Sequence, residues 1–337
     1  MRNILLTLVC ATLFVGGVVS RAQARPQQEN VDELQDSTVS IVAYFSKNDT
    51  LVYWIDNSRW KFTPTDTVQT GLVSAKVRLT VVDSTATGYK MDYTFLEIKT
   101  DSVDNSTLSK FQNAVTEKLA QKIVGNTISF ETDEFGAITK INNLDKVKQQ
   151  AKTLFSEGID EMFKVPEIAK LKDETNIDLK AMAKNIDTDK LVDSYLEELK
   201  LLFAYHGLAF AIGQSHGHQD ATNENYENDT YTTVTVDPES YNYSVEVEAF
   251  SFIPREDVKE VLGNFIEELK NDHLRNAVGH ELDNHINFDA GAIIESLYSI
   301  DCLANGCPLG VVSQTVSSIN GYGQIKQTTI NIDYANY

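Results

Sequence analysis

The order of its patterns assigns this chain to the α+β class: strands first, helices in the middle, strands again at the end. Three observations support the assignment. Between residues 39 and 95 apolar and polar side chains alternate with the two-residue period of a half-buried strand. From about 105 to 213 the apolar positions recur at helical spacing apart from a hairpin at 128–141, and from 230 onward strand-like alternation returns, broken by one further helical pattern. The prediction is one large antiparallel sheet built from the N- and C-terminal strands, curved because of its width. Three or four amphipathic helices from the middle of the chain cover its apolar face. No fixed-period repeat is present.

The first strands carry Val39, Ile41, Ala43 and Phe45, then Leu51, Tyr53 and Ile55 with Trp54 on the opposite face, continuing through Trp60 and Phe62. Val73, Ala75, Val77, Leu79 and Val81 alternate with Ser74, Lys76, Arg78 and Thr80. Tyr89, Met91, Tyr93 and Phe95 follow a turn at Ala86-Thr87-Gly88. Leu108, Phe111, Val115, Leu119 and Ile123 predict a helix closed by Gly125. Ile128 and Phe130 lead into Asp133-Glu134-Phe135-Gly136, and Ile138 and Ile141 lead out, which is a hairpin. Asn143 caps a helix through Val147, Ala151, Leu154, Phe155, Ile159 and Met162, which stops before Pro166. A helical stretch spans about 166 to 184.

Asp187 or Thr188 opens a helix through Leu191, Tyr195, Leu199, Leu202, Phe203, His206 and Phe210 to Gly213. Residues 214–229 hold almost nothing apolar and read as a long exposed loop. Thr230–Val236 and Tyr241–Ile253 form a hairpin around Asp237-Pro238-Glu239-Ser240. Residues 255–272 are helical through Val258, Val261, Leu262, Phe265, Ile266 and Leu269, and strands close the chain at 292–301, 310–319 and 324–334.

Residues 1–24 read as a signal peptide. A charge at Arg2 precedes an apolar run from Ile4 to Val19, and Ala22-Gln23-Ala24 offers the small-x-small site, with cleavage after Ala24. At 16 residues, with Gly16-Gly17 inside it, the run is short of the roughly 20 a spanning helix needs. Cys10 lies inside the run behind Leu8-Val9, where lipoprotein processing does not place its cysteine. Residues 25–37 form a polar, flexible leader. Residues 38–337 form one large domain, in which 143–229 could make a helical sub-lobe. The expected location is periplasmic or extracellular, with no membrane span after cleavage.

The 49 acidic side chains against 29 basic ones leave a net charge of −20, and loss of Arg2 and Arg21 with the signal makes it more negative. Nucleic acid is therefore not an expected partner, because phosphate backbones are gripped by Lys and Arg. No Asp-x-Asp-x-Asp-Gly calcium loop is present. After signal removal two cysteines remain, Cys302 and Cys307 in Asp-Cys-Leu-Ala-Asn-Gly-Cys-Pro. They are expected to form a disulfide across the Asn305-Gly306 turn in an oxidising compartment. Their Cys-x₄-Cys spacing is neither the redox Cys-x-x-Cys nor half of a completed zinc site.

No catalytic, cofactor-binding or metal-ligating residue is predicted. His280 and His285 are five apart, so a helix does not bring both imidazoles to one metal. His216-Gly217-His218 with His206 could hold zinc or copper, yet no third ligand is fixed; His206 reads as a core residue and the other two as solvated. No Gly-x-Ser-x-Gly motif is read in the chain, and a lone serine carries no catalytic meaning. Glu197-Glu198 and Glu267-Glu268 are adjacent on exposed helix faces rather than convergent. Tyr53, Trp54, Trp60, Phe62, Tyr89, Tyr93 and Phe95 concentrate on the early strands, as core with a subset able to line a pocket or a carbohydrate-facing surface.

The export segment, the acidic strand meander, the helical middle and the phrase Asp133-Glu134-Phe135-Gly136-Ala137-Ile138-Thr139-Lys140-Ile141 together resemble envelope proteins of Bacteroidetes. Those look like distant cousins of the half-barrel lipoprotein carriers of the periplasm. Asp36-Ser37-Thr38, Asp49-Thr50-Leu51, Asp66-Thr67-Val68, Asp83-Ser84-Thr85 and Asp101-Ser102-Val103 are similar to the O-glycosylation acceptor of that phylum. The leading expectation is an exported, soluble, non-enzymatic module whose curved sheet and helices hold a lipid or other apolar ligand, or a segment of an envelope protein partner. A periplasmic hydrolase with a non-local site and a purely structural or interaction protein with a filled core are the alternatives.

Overall fold

The computed structural model describes residues 38–100, 120–162, 164, 188–222, 226–258 and 291–334. Their strands are β1 (Thr38–Ser40), β2 (Thr50–Thr63), β3 (Asp66–Thr85), β4 (Gly88–Thr100), β5 (Thr127–Thr132) and β6 (Ile138–Ile141), then β7 (Ala209–Ala211) and β8 (Gly213–Gln219). β9 (Asn228–Val236), β10 (Tyr243–Ile253), β11 (Ala292–Cys302), β12 (Pro308–Ile319) and β13 (Tyr322–Ile332) complete them. Between β6 and β7 stand α1 (Leu144–Met162), α2 (Thr188–Tyr195) and α3 (Glu197–Leu202).

Eleven strands form one antiparallel sheet in the order β6-β5-β4-β3-β2-β13-β12-β11-β10-β9-β8, while β1 pairs with β7 in a separate ribbon. Every neighbour in the large sheet is also a neighbour in the chain, except where β2 meets β13. The sheet is thus one long meander entered at its centre, and its free edges, β6 and β8, lie on either side of the helical middle of the chain.

This corrects the α+β assignment. Strands hold 58% of the described residues and helices 17%, so the fold is mostly β. The described helices do not form a covering layer: α1 packs against α2, and α3 lies against β12 and β13. Part of the expected helix content falls outside the described residues, at 101–119, 165–187 and 259–290. Part is replaced: the helix predicted to run to Gly213 ends at Leu202, because Phe203–Gly207 turns inward and Gly207 adopts φ +85°. The loop expected at 214–229 contains β8 and the start of β9. Its side chains are polar on both faces, so no alternation revealed the pairing, which rests on backbone bonds to β9.

The alternation of residues 39–45 is real but does not make a full strand. Ile41 and Ala43 are 0% exposed, yet beyond Ser40 the backbone bonds go to turns: Ile41 N to Leu208 O, Ala43 N to Phe135 O (both 2.9 Å) and Tyr44 N to Asn305 O (3.0 Å). These contacts dictate the shape of the sheet. The β5–β6 turn and the β11–β12 turn are six strand spacings apart, about 29 Å on a flat sheet, but they bond consecutive residues. The sheet must curl so that one end closes around residues 41–45.

Gly136 and Gly306 permit that closure. Both sit at positive φ; a Cβ on Gly136 would stand 2.7 Å from Ala43 Cβ and 2.8 Å from the His206 ring, and one on Gly306 would stand 2.1 Å from Val42 O. His206 completes the plug, its Nε2 2.9 Å from Gly306 O and its ring against Phe203. One connected apolar cluster fills this end, drawing on Tyr53, Leu79, Tyr93 and Phe130 from the sheet and Leu199, Leu202 and Phe203 from α3 and its exit.

Candidate binding surfaces

Following residues across the paired strands shows how the two faces of the sheet change along its length. Near the plugged end the inward row is Val245, Ile300, Val311, Ile330 and Ile55, none more than 1% exposed. One step further along each strand the inward row reads Val247, Tyr298, Ser313, Thr328 and Asn57, and the next reads Ala249, Ser296, Thr315, Lys326 and Arg59. The outward rows change the opposite way. At the plugged end they are Ser244, Asp301, Gly310, Asn331 and Trp54; at the far end they are Phe250, Glu295, Val316, Ile325 and Trp60, then Phe252, Ile293, Ser318, Gly323 and Phe62. The inner face turns polar in the middle rows and regains buried Ile253, Ile294 and Ile319 beyond them, while the outer face turns from polar at the plugged end to apolar at the far end.

The polar inner rows anchor α3. Asn57 Nδ2 donates to Glu198 Oε1 at 3.0 Å, and Asn57 Oδ1 accepts from Thr328 Oγ1 at 2.7 Å. Lys326 Nζ grips both Glu197 oxygens at 2.5 and 2.7 Å, and Tyr298 OH donates to Leu201 O. Burial pushes the Glu198 carboxyl above its ordinary range, against the hydrogen bonds from its own backbone and from Asn57. Glu197 and Glu198 were expected on an exposed face; they turn toward the sheet because its inner face is polar at this level.

The apolar outer rows end in an exposed aromatic patch. Tyr231, Phe250, Phe252 and Ile293 are 46%, 39%, 47% and 45% exposed, and Tyr231 lies 6.0 Å from Phe250. Exposed apolar groups gathered this way, with charged neighbours such as Glu248 and Glu295, are the mark of an interaction surface rather than of scattered surface hydrophobes. Trp54 sits further along the same face, under Lys76 and Lys99.

The remaining sequence candidates fall in separate places. His216 and His218 point outward from edge strand β8, both onto Asp229 Oδ1, at 3.2 and 2.8 Å. Hydrogen bonds donated by its ring to Asp229 and Asp220 raise His218 above its usual value, and Asp229 is lowered in return. His206 is buried 100 residues away from the Gly306 carbonyl it meets, and no metal-holding group of three or more ligands occurs among the described residues. His280, His285 and Glu267-Glu268 lie outside the described residues. The segment Gly213-Gln214-Ser215-His216-Gly217 spells Gly-x-Ser-x-Gly, which the sequence reading passed over. It runs flat along β8 rather than through a strand-to-helix turn, and alternation puts Ser215 on the face opposite His216 and His218.

Cys302 and Cys307 are buried free thiols, lifted by burial to about 12 and about 11. Tyr53, Tyr93 and Phe95 are core, whereas Trp54, Trp60 and Phe62 face outward and Tyr89 donates to Ala43 O. Of the Asp-Ser/Thr triplets, Thr50, Thr67 and Ser84 are exposed residues near strand ends, the Thr50 hydroxyl donating to Asn48 O and the Ser84 hydroxyl to Phe45 O. Ser37, Ser102 and the segments 1–24 and 25–37 lie outside the described residues. No helix among the described residues is long and apolar enough to cross a membrane.

Among solved structures, the chain is similar to lipovitellin, described for its lipid–protein interactions, at 9% identity and a TM-score of 0.41; the match covers 86% of this chain and 25% of that one. It is similar at 9% identity and a TM-score of 0.17 to a porin-like protein from Bacteroides uniformis, over 86% of this chain and 98% of that one. An outer membrane channel from Pseudomonas putida matches at 6% identity and a TM-score of 0.13, over 90% and 100%. This chain therefore spans about a quarter of the lipovitellin chain. No family model and no curated protein matches.

Proposed function

We propose that this is an exported, non-enzymatic binding protein of the cell envelope, periplasmic or extracellular, that engages an apolar ligand or partner. The observation that supports this reading is the exposed apolar band on the outer face at the far end, with Phe250, Phe252 and Ile293. Where the sheet is plugged its interior is filled by side chains, so the apolar surface left for a partner is the outward band through Trp60, Phe62, Val316, Ile325, Phe250 and Phe252. On this reading the ligand or partner binds outside the sheet rather than in an enclosed cavity.

The chain's two tryptophans, Trp54 and Trp60, are both outward, so intrinsic fluorescence reads this face alone. Titration with phosphatidylcholine vesicles should shift tryptophan emission to the blue, and brominated acyl chains should quench it. Changing Phe250 and Phe252 together to Ser should weaken the response at least about tenfold, since each exposed ring contributes on the order of 1 kcal/mol when covered. An unchanged spectrum, with no apolar molecule retained in native mass spectrometry, would overturn the reading.

In the same oxidising compartment we propose that Cys302 and Cys307 close as a disulfide by exchange with an external disulfide. Their backbones run side by side, Leu303 N bonding Cys307 O at 2.9 Å. A loop this short stabilises by about 2 kcal/mol in the chain-entropy account. Alkylation of envelope-purified protein should add no mass before reduction and two adducts after it; two adducts without reduction would refute the bond.

A further inference from the structure

The structure assigns a second, separate site: a cleft of about 450 Å³ on the outer face at the plugged end, built to bind a neutral saccharide. It does not rest on the apolar band, which occupies the other end of that face. Its floor is the outward row Ser244, Asp301, Gly310 and Asn331. A Cβ on Gly310 would find its nearest atoms at 3.5 Å (Asn331 Oδ1), 3.7 Å (Ile330 O) and 3.9 Å (Asp301 Oδ2), which is ordinary contact. Packing therefore does not require glycine there. What the glycine leaves is a hollow between a carboxylate and an amide.

The walls are held in place by the chain around them. On one side rises the β9–β10 turn, closed by bonds between Asp237 and Asn242 and between Tyr241 and Asp237, with Asn242 Oδ1 accepting Ala304 N at 3.2 Å. The Asp237 carboxylate is oriented by Ser240 Oγ and Glu239 N, and the Ser240 bond is the main cause that keeps it below the usual carboxylate range. On the other side stands Tyr334, 67% exposed. Its neighbour Asp333 is tied to Lys76 Nζ at 2.7 Å and through its backbone N–H to Val52 O at 2.7 Å.

The chemistry of this lining selects its ligand. Asp301 takes the Ser244 hydroxyl on Oδ1 and turns Oδ2 toward the hollow. Two carboxylates and two amides supply an excess of fixed acceptors, and among the described residues no Lys, Arg or His lines the cleft. Anionic ligands are repelled, as they are by the net charge of −20. A ligand must donate several hydrogen bonds in little space and offer an apolar face to an exposed ring, which describes a sugar of one or two rings.

Saturation-transfer NMR on the signal-free protein with maltose, cellobiose, lactose and N,N′-diacetylchitobiose tests this. At least one should receive saturation, and the signal should fall at least about tenfold in Gly310→Val, which fills the hollow, and in Tyr334→Ala, whose side chain is too exposed to matter for folding. The Phe250/Phe252 double variant should bind as before. The assignment is overturned if none of the four sugars responds at millimolar concentration, if the signal survives both variants, or if calcium alone gives a saturable calorimetric heat that Asp301→Asn removes.

Discussion

The two ends of the large sheet use the same strands in opposite ways. At the plugged end inward residues such as Ile55, Ile330 and Val311 are buried by residues 41–45, 203–207 and α3, and the outward residues are Ser, Asp, Asn and Lys. Further along, the inward row from Ala249 to Arg59 carries Ser, Thr, Lys and Arg, with Ile253, Ile294 and Ile319 buried beyond it, and the outward side carries exposed Phe250, Phe252 and Ile293 beside Ile325 and Trp60. Alternation has period two at both ends, so strand periodicity alone does not say which face is the core. Burial does: a strand's inner face can be apolar only over the length that something packs against.

The comparison is broken first at the plugged end, where the effect should be largest. Met91 is 1% exposed, and Met91→Ala should cost about 2–5 kcal/mol, read as a lower midpoint in denaturant titration. A loss below about 1 kcal/mol would mean that this end is not the close-packed one.

His206 sharpens the same contrast through pH. Burial lowers it to about 4 from 6.5, against the Gly306 carbonyl and the Asp133 charge, and its Nδ1 has no hydrogen-bond partner among the described residues. The folded state therefore keeps His206 neutral while the unfolded chain takes up the proton below pH 6.5. Stability contributed by the neutral ring is complete above that pH and falls as the solution is acidified toward 4, by on the order of 3 kcal/mol. Glu198, raised by burial, acts in the opposite direction on acidification, so the quantity to measure is the difference between wild type and His206→Gln. Parallel stability curves for the two across this range would remove His206 from the plug's energetics.

The smallest effect is expected at the far end. Phe252→Ser removes a side chain that is 47% exposed, and stability should change by about 0.5 kcal/mol or less, while the vesicle response weakens. A loss comparable to that of Met91→Ala would show that the outward band is covered within the chain and is not free for a partner.

Much of the strand content was legible because the side chains announce it. The alternation of Val73 to Val81 and Tyr89 to Phe95 became β3 and β4, the turn at Ala86-Thr87-Gly88 joins them, and Asp133–Gly136 is the hairpin turn expected of it. β8 was missed because Gly-Gln-Ser-His-Gly-His-Gln contains no apolar residue, and an edge strand with two polar faces is held by backbone bonds alone. Neither binding surface was visible in advance. The cleft needs Ser244, Asp301, Gly310 and Asn331 side by side, and they are neighbours only through the register of β10 to β13.

Composition, charge and local periodicity by themselves determined the acidic composition, long strands such as β3, β4 and β10, and the helix α1, since each depends on residues near in sequence. The tertiary structure alone decided that β2 meets β13, that consecutive residues 43 and 44 tie together turns from distant parts of the sheet, and therefore which face is core at each end. Those are long-range closures, and no local pattern specifies which distant carbonyl a backbone N–H will find.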